Sequence, residues 1–161
     1  MGVYYRNSFG TYETTLKWGP RSAIIDNIHI GKANIALFNY ILSNVFEKVT
    51  PVQYLSHGTN QKRDIDLIIE PTILSYTQPE PTGPGGRKIH IIYEVNFYLP
   101  EGEKIGSWWI KGTGHIPLSL DENNALTELT QMAMREVAVK FITGFCKQGK
   151  IIKLINKECN P

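Results

Sequence analysis

Residues 88–99 read KIHIIYEVNFYL, and their alternation decides the fold class. Ile89, Ile91, Tyr93, Val95, Phe97 and Leu99 fall on one side of an extended chain, while Lys88, His90, Glu94 and Asn96 fall on the other. A period of two sends successive side chains to opposite faces, so the stretch predicts a half-buried antiparallel strand. Pro100-Glu101-Gly102-Glu103 has turn chemistry, with Gly102 suited to a positive φ. A return strand is expected over Lys104–Leu118, where Gly112 and Gly114 suggest a bulge or strong bend.

Upstream, Ile65, Leu67 and Ile69 alternate within Asp64–Tyr76, and Pro71 marks a bulge or an edge position because it donates no ladder hydrogen bond. Between these strands, Thr77–Gly86 is rich in proline and glycine and predicts a mobile loop. Two segments change the period from two to nearly four. In Lys32–Lys48, Ala33, Leu37, Ile41 and Val45 recur, with Ala36, Tyr40 and Phe46 widening the stripe. After Ser119-Leu120-Asp121, with Asp121 as the expected cap, Leu126, Leu129, Ala133, Val137, Phe141 and Phe145 form a second stripe that Gly149 should end. Short strands are expected at 22–30 and 52–55, and Ile151–Ile155 is a last strand or a helical extension. The expectation is an α+β fold: a mainly antiparallel sheet of four to five strands with two amphipathic helices packed on one face. Residues 1–21 read as an irregular arm, and residues 22–161 as a single α+β domain.

A chain of 161 residues with 42% hydrophobic content suffices for one core. The balance of 17 Lys+Arg against 15 Asp+Glu supplies no basic face for nucleic acid, so no nucleic-acid partner is expected. The one local excess, Lys147, Lys150, Lys153 and Lys157, suits a solvated helix end. No apolar run approaches the length of about 18 residues that a spanning helix needs. The first residues lack the pattern of a signal peptide, which leaves open a chain whose leader has been removed.

Candidate chemistry is sparse. Cys146 and Cys159 are 13 apart, compatible with one disulfide in an oxidising compartment or with two free thiols. The four histidines are dispersed, so neither a metal nor a cofactor is expected. Asp64 and Asp66 share a strand face without a third ligand. Ser107 lacks the glycine spacing of a nucleophile elbow, Cys146 sits in a helix, and Gly83–Gly86 precedes a strand where a phosphate loop would precede a helix. No catalytic set emerges, and the chain reads as a non-enzyme. Four residues are candidates for binding. Trp108 and Trp109 are adjacent and must face opposite sides of their strand, so one is core and the other is exposed, covered by the N-terminal arm or buried in a partner. His90 sits on the polar face of its strand and His115 lies between Gly114 and Ile116 in the return strand, so the two meet across the hairpin only if the register allows.

The stretches IHIIYEVNFYLPEGEKIGSWWIKGTG (89–114) and NNALTELTQMAMREVAVKFITGF (123–145), with the helix at Lys32–Lys48 before them, resemble small Gram-negative outer-membrane lipoproteins. The lipopolysaccharide-assembly (LptE-like) and YajG-like families share this layout, over residues 22–147 here. The resemblance implies a periplasmic module anchored to the outer membrane through a lipidated cysteine, which would lie ahead of these residues. It also implies partners among envelope or outer-membrane proteins, or a glycolipid, and no catalytic residue. The alternative is a small ligand carrier or enzyme with a pocket between sheet and helices, using Tyr93, His90 or His115.

Overall fold

The computed structural model describes residues 1–18, 24–55, 65–77, 80–82, 86–117 and 122–154. In chain order they form strand β1 (Gly2–Tyr4), helix α1 (Asn7–Gly10), strands β2 (Glu13–Trp18) and β3 (Ile24–His29), helix α2 (Gly31–Val45), and strand β4 (Thr50–Val52). Strands β5 (Ile68–Tyr76), β6 (Glu80–Thr82), β7 (Gly86–Tyr98) and β8 (Lys104–Ile116) follow. The long helix α3 (Glu122–Gly144), a 3-10 turn (Phe145–Lys147) and helix α4 (Gly149–Leu154) close the described chain.

The fold is α+β, but the sheet corrects the expectation in strand number and in direction. It has six strands and is mixed, because β1 runs parallel to both β4 and β5. β5, β6 and β8 all pair antiparallel with β7. β8 takes one edge of β7, while β5 and β6 share the other: β5 pairs along Ile91–Tyr98 and β6 along Gly86–Lys88. β6 therefore occupies part of the stretch read as a loop. Its Pro81 is tolerable because β6 pairs with β7 alone. Pro71 stands in β5 just past the two residues that pair with β1, where the missing donor costs nothing. The irregularity of β5 lies instead between Ile73 and Ser75.

Residues 1–18 are not an irregular arm. Three residues of β1 are too few for a visible alternation, yet Val3 is fully buried and β1 joins β4 to the rest of the sheet. β2 and β3 make a separate antiparallel ribbon, with Thr15 Oγ1 donating to Asn27 Oδ1 at 2.9 Å.

The row from Ile89 through Phe97 is wholly buried, as its period predicts. Both long helices cover that face. Phe38 of α2 meets Tyr93 and Phe141 edge-on, and Phe141 stacks on Phe145, which in turn reaches Phe97. These rings occupy the layer between sheet and helices, the place where the carrier reading put its pocket. The α3 stripe from Leu126 to Phe145 is buried as read. The α2 stripe is rotated: Asn34, Phe38, Ile41 and Leu42 are buried, while Ala33 and Ala36 are exposed. A polar residue leads this stripe because the Tyr93 hydroxyl donates to Asn34 Oδ1 at 2.6 Å.

Gly112 and Gly114 mark no bulge; the register shift of the hairpin lies between Phe97 and Tyr98. Their role is closeness. A Cβ on Gly114 would stand 1.9 Å from the Leu129 carbonyl oxygen, and one on Gly112 would stand 2.1 Å from that of Ala133. Gly102 has φ 96° in the turn, as expected. Gly149 opens α4 rather than ending α3, whose last residue Gly144 lies against the Trp108 ring. The expected cap Asp121 falls outside the described residues. Cys146 is disulfide-bonded, and Cys159 falls outside the described residues.

Candidate functional site

The second face of the sheet carries the candidate surface, and cross-strand register sets its composition. Glu94 faces Trp109, Ile92 faces Lys111, His90 faces Thr113 and Lys88 faces His115. The two tryptophans separate as strand geometry requires. Trp108 turns toward α3, with its ring centroid 5.5 Å from that of Phe141. Trp109 turns outward and is 68% exposed, and its indole N–H donates to Glu94 Oε1 at 3.1 Å. That bond fixes the orientation of a large flat side chain in water, which lowers the entropy lost when a partner covers it.

His90 and His115 share this face as diagonal neighbours, not as an opposed pair. His90 Nδ1 lies 3.0 Å from Thr113 Oγ1, and the His90 backbone N–H donates to Thr77 Oγ1 at 2.7 Å. These contacts hold the imidazole within the ladder, while His115 is exposed.

One end of the same face is covered, and there the structure holds a cluster that sequence reasoning missed. Val52, Ile65 and Ile68 form a small second core, with Tyr4, Leu55 and Tyr98 against it. Beside it Glu70 is completely buried. Its carboxylate accepts from Arg6 Nε and from the Tyr98 hydroxyl at 2.8 Å, with Asn96 Nδ2 3.5 Å away. Glu70 in turn keeps the Arg6 guanidinium charged, its hydrogen bond being the chief cause. Burial, then the bond to Glu70, pushes the Tyr98 hydroxyl up to about 12. With these donors directed at it, the carboxylate acts as an acceptor tying the start of α1, at Arg6, to β5 and β7. The signal was a lone acid inside the apolar run Leu67–Leu74, which a strand-period reading skips.

The other chemical candidates stay apart. Asp64 lies outside the described residues and Asp66 is exposed. Ser107 is exposed on the outer face of β8, and Cys146 is disulfide-bonded. Among the described residues no three His, Cys, Asp or Glu side chains gather as a metal site would need. No described helix is long and apolar enough to cross a membrane.

No protein-family model matches this chain, and no curated protein matches it in sequence. Among solved structures it is similar to a Caulobacter crescentus protein assigned as a lipoprotein, with TM-score 0.49 and 6% identity over 78% of this chain and 86% of that one. It is also similar to a hypothetical protein of Chlamydia trachomatis, with TM-score 0.46 and 11% identity over 91% and 95% of the two chains. A minor lipoprotein of Acinetobacter baumannii gives TM-score 0.46 and 11% identity over 99% and 96%. At these identities no residue can be carried from one chain to another.

Proposed function

We propose that this chain is a non-enzymatic binding module of the Gram-negative cell envelope, working in the periplasm with an outer-membrane lipid anchor as its tether. Its partner is an envelope protein that covers the open face of the sheet. The observation that carries the reading is Trp109, an indole 68% exposed and held in one orientation by Glu94. Exposed aromatics with little rotamer freedom are the side chains that most often anchor protein interfaces. The disulfide at Cys146 supports an oxidising compartment, and the resemblance of residues 22–147 to envelope lipoproteins supports the class.

The test is a photo-reactive phenylalanine at position 109, with the exposed Tyr40 of α2 as control site. In cells that carry the protein, position 109 is expected to cross-link to one protein-sized partner and position 40 to none. A glycolipid-sized adduct would replace the protein partner by a lipid one. Equal labelling from both positions would remove Trp109 as the binding surface. Mass analysis of the mature N-terminus tests the tether, which requires a lipidated cysteine there.

A further inference from the structure

β8 is an outer strand of the sheet, and among the described residues it pairs with β7 alone. Two contacts fix the direction of its main-chain groups. The Thr113 N–H donates to Glu136 Oε2 at 2.5 Å, and the Lys111 carbonyl accepts from Lys140 Nζ at 2.8 Å. Odd-numbered residues of β8 therefore turn their amides away from β7. Glu136 and Lys140 are themselves paired at 2.7 Å, so α3 closes the edge at 111–113 with charged side chains, a known guard against strand addition.

Toward Ser107 the guard stops. The N–H groups of Ser107, Trp109 and Lys111 and the carbonyls of Ser107 and Trp109 have no partner among the described residues. All three residues are exposed. The open window ends at the Phe97/Tyr98 register shift on one side and at the Glu136–Lys140 pair on the other. It is a ready template for an extended chain.

The position of α3 restricts what can fill it. The helix lies along β8 from Gly114, against Leu129, to Trp108, against Gly144. Packed helices need about 8–10 Å between axes, whereas an added strand lies only about 4.8 Å from β8. A second copy paired edge to edge with the same face inward would drive its own α3 into this one. The occupant is therefore a strand with no helix over it. Its inward side chains would lie beside Trp108 and the exposed apolar Met132 and Val139, four residues before and three after Glu136 on the α3 flank. Its outward side chains would lie beside Trp109 and Lys111, whose cross-strand neighbour is Ile92 and not an acid. We infer that β8 binds, along Ser107–Lys111, an extended segment of a partner protein with alternating apolar and acidic side chains. This rests on the reading above, since it specifies the partner at the Trp109 surface.

The test uses the full chain and a synthetic peptide of alternating valine and glutamate. Amide exchange at Ser107, Trp109 and Lys111 is expected to slow about tenfold or more with saturating peptide, while Thr113, already bonded to Glu136, changes little. Ser107→Pro removes an outward N–H and nothing from the β7 ladder, so it should abolish the peptide-induced shifts that Ser107→Ala retains. If Ser107→Pro does not fold, the exchange pattern of the unaltered chain decides. Absence of peptide binding, or binding that leaves these amides unprotected, overturns the inference, and a positive cross-link at position 109 would then still support the wider reading. Protection that appears without peptide and grows with protein concentration assigns the edge to a second copy and also overturns it. Edge protection without any cellular cross-link at position 109 would overturn the envelope reading instead.

Discussion

Three glycines of one strand permit a controlled test of how α3 seats on the sheet. Gly106, Gly112 and Gly114 all lie in β8, and none has a positive φ. Replacing each by alanine changes the unfolded chain in the same way, stabilising the protein by about 0.5 kcal/mol through reduced backbone freedom. The folded states differ. Nothing lies within 4 Å of a Cβ at Gly106, so Gly106→Ala should keep that gain. At Gly114 the new carbon would sit 1.9 Å from the Leu129 carbonyl oxygen and 2.9 Å from Leu129 Cα. Relief requires a helix displacement of roughly 1.5 Å to reach ordinary contact, because backbone cannot rotate aside as a side chain can. That shift unpacks Leu129, Ala133 and Val137, each at most 1% exposed. Overpacking of this kind costs about 1–3 kcal/mol, and the rigid obstacle places Gly114→Ala at about 3 kcal/mol. For a chain of this size the midpoint of thermal unfolding should fall by about 6–12 °C. Urea unfolding of the three variants and the parent measures the spread. A Gly114→Ala loss below about 0.5 kcal/mol, or an equal loss at Gly106, would refute the close seating of α3 on β8.

Other perturbations probe the remaining polar contacts. Arg6→Ala leaves the buried Glu70 with fewer donors and should cost about 2 kcal/mol, less than a fully buried pair because the Arg6 side chain is 53% exposed; unchanged urea stability would show that Tyr98 and Asn96 suffice. Tyr93→Phe takes away the donor to Asn34 Oδ1 while Asn34 Nδ2 already lacks a partner among the described residues, so about 1–3 kcal/mol should be lost on unfolding by urea, and a neutral result would argue against that bond. Glu136 has its carboxyl held below the ordinary value: partial burial acts against this, but the bonds from Lys140 and the Thr113 amide outweigh it. Its contribution to stability is thus present above the ordinary carboxylate range and lost as pH falls through the lower folded value. The Thr113 amide resonance should titrate in that acid window and cease to do so in Glu136→Gln; a flat profile in the parent would remove the guard.

The long elements were legible because each carries a local period. Ile89–Phe97 and Leu126–Phe145 repeat their apolar residues along one line, and that line is where the core lies. Trp108 and Trp109 had to part because adjacent strand residues point oppositely, although which of them faces water depends on the side that α3 covers. Parity put His90 on the polar face of its own strand, but that His115 shares this face, and lies diagonal to it, follows from the register that the Phe97/Tyr98 shift sets.

Three things had no local signal. The three-residue β1 gains its place only from β4 and β5, strands far along the chain, and that parallel pairing makes the sheet mixed. Gly112 and Gly114 look like bend residues in sequence, and only the helix lying on them shows that missing Cβ atoms were the point. Glu70 and Asn34 break apolar patterns, and their partners Arg6 and Tyr93 are distant in sequence. Local periods set the long strands and helices and, apart from the rotation of α2, the faces they bury. Strand direction, register and the partners of buried polar groups came only with the folded chain, because those depend on contacts between residues that no local pattern links.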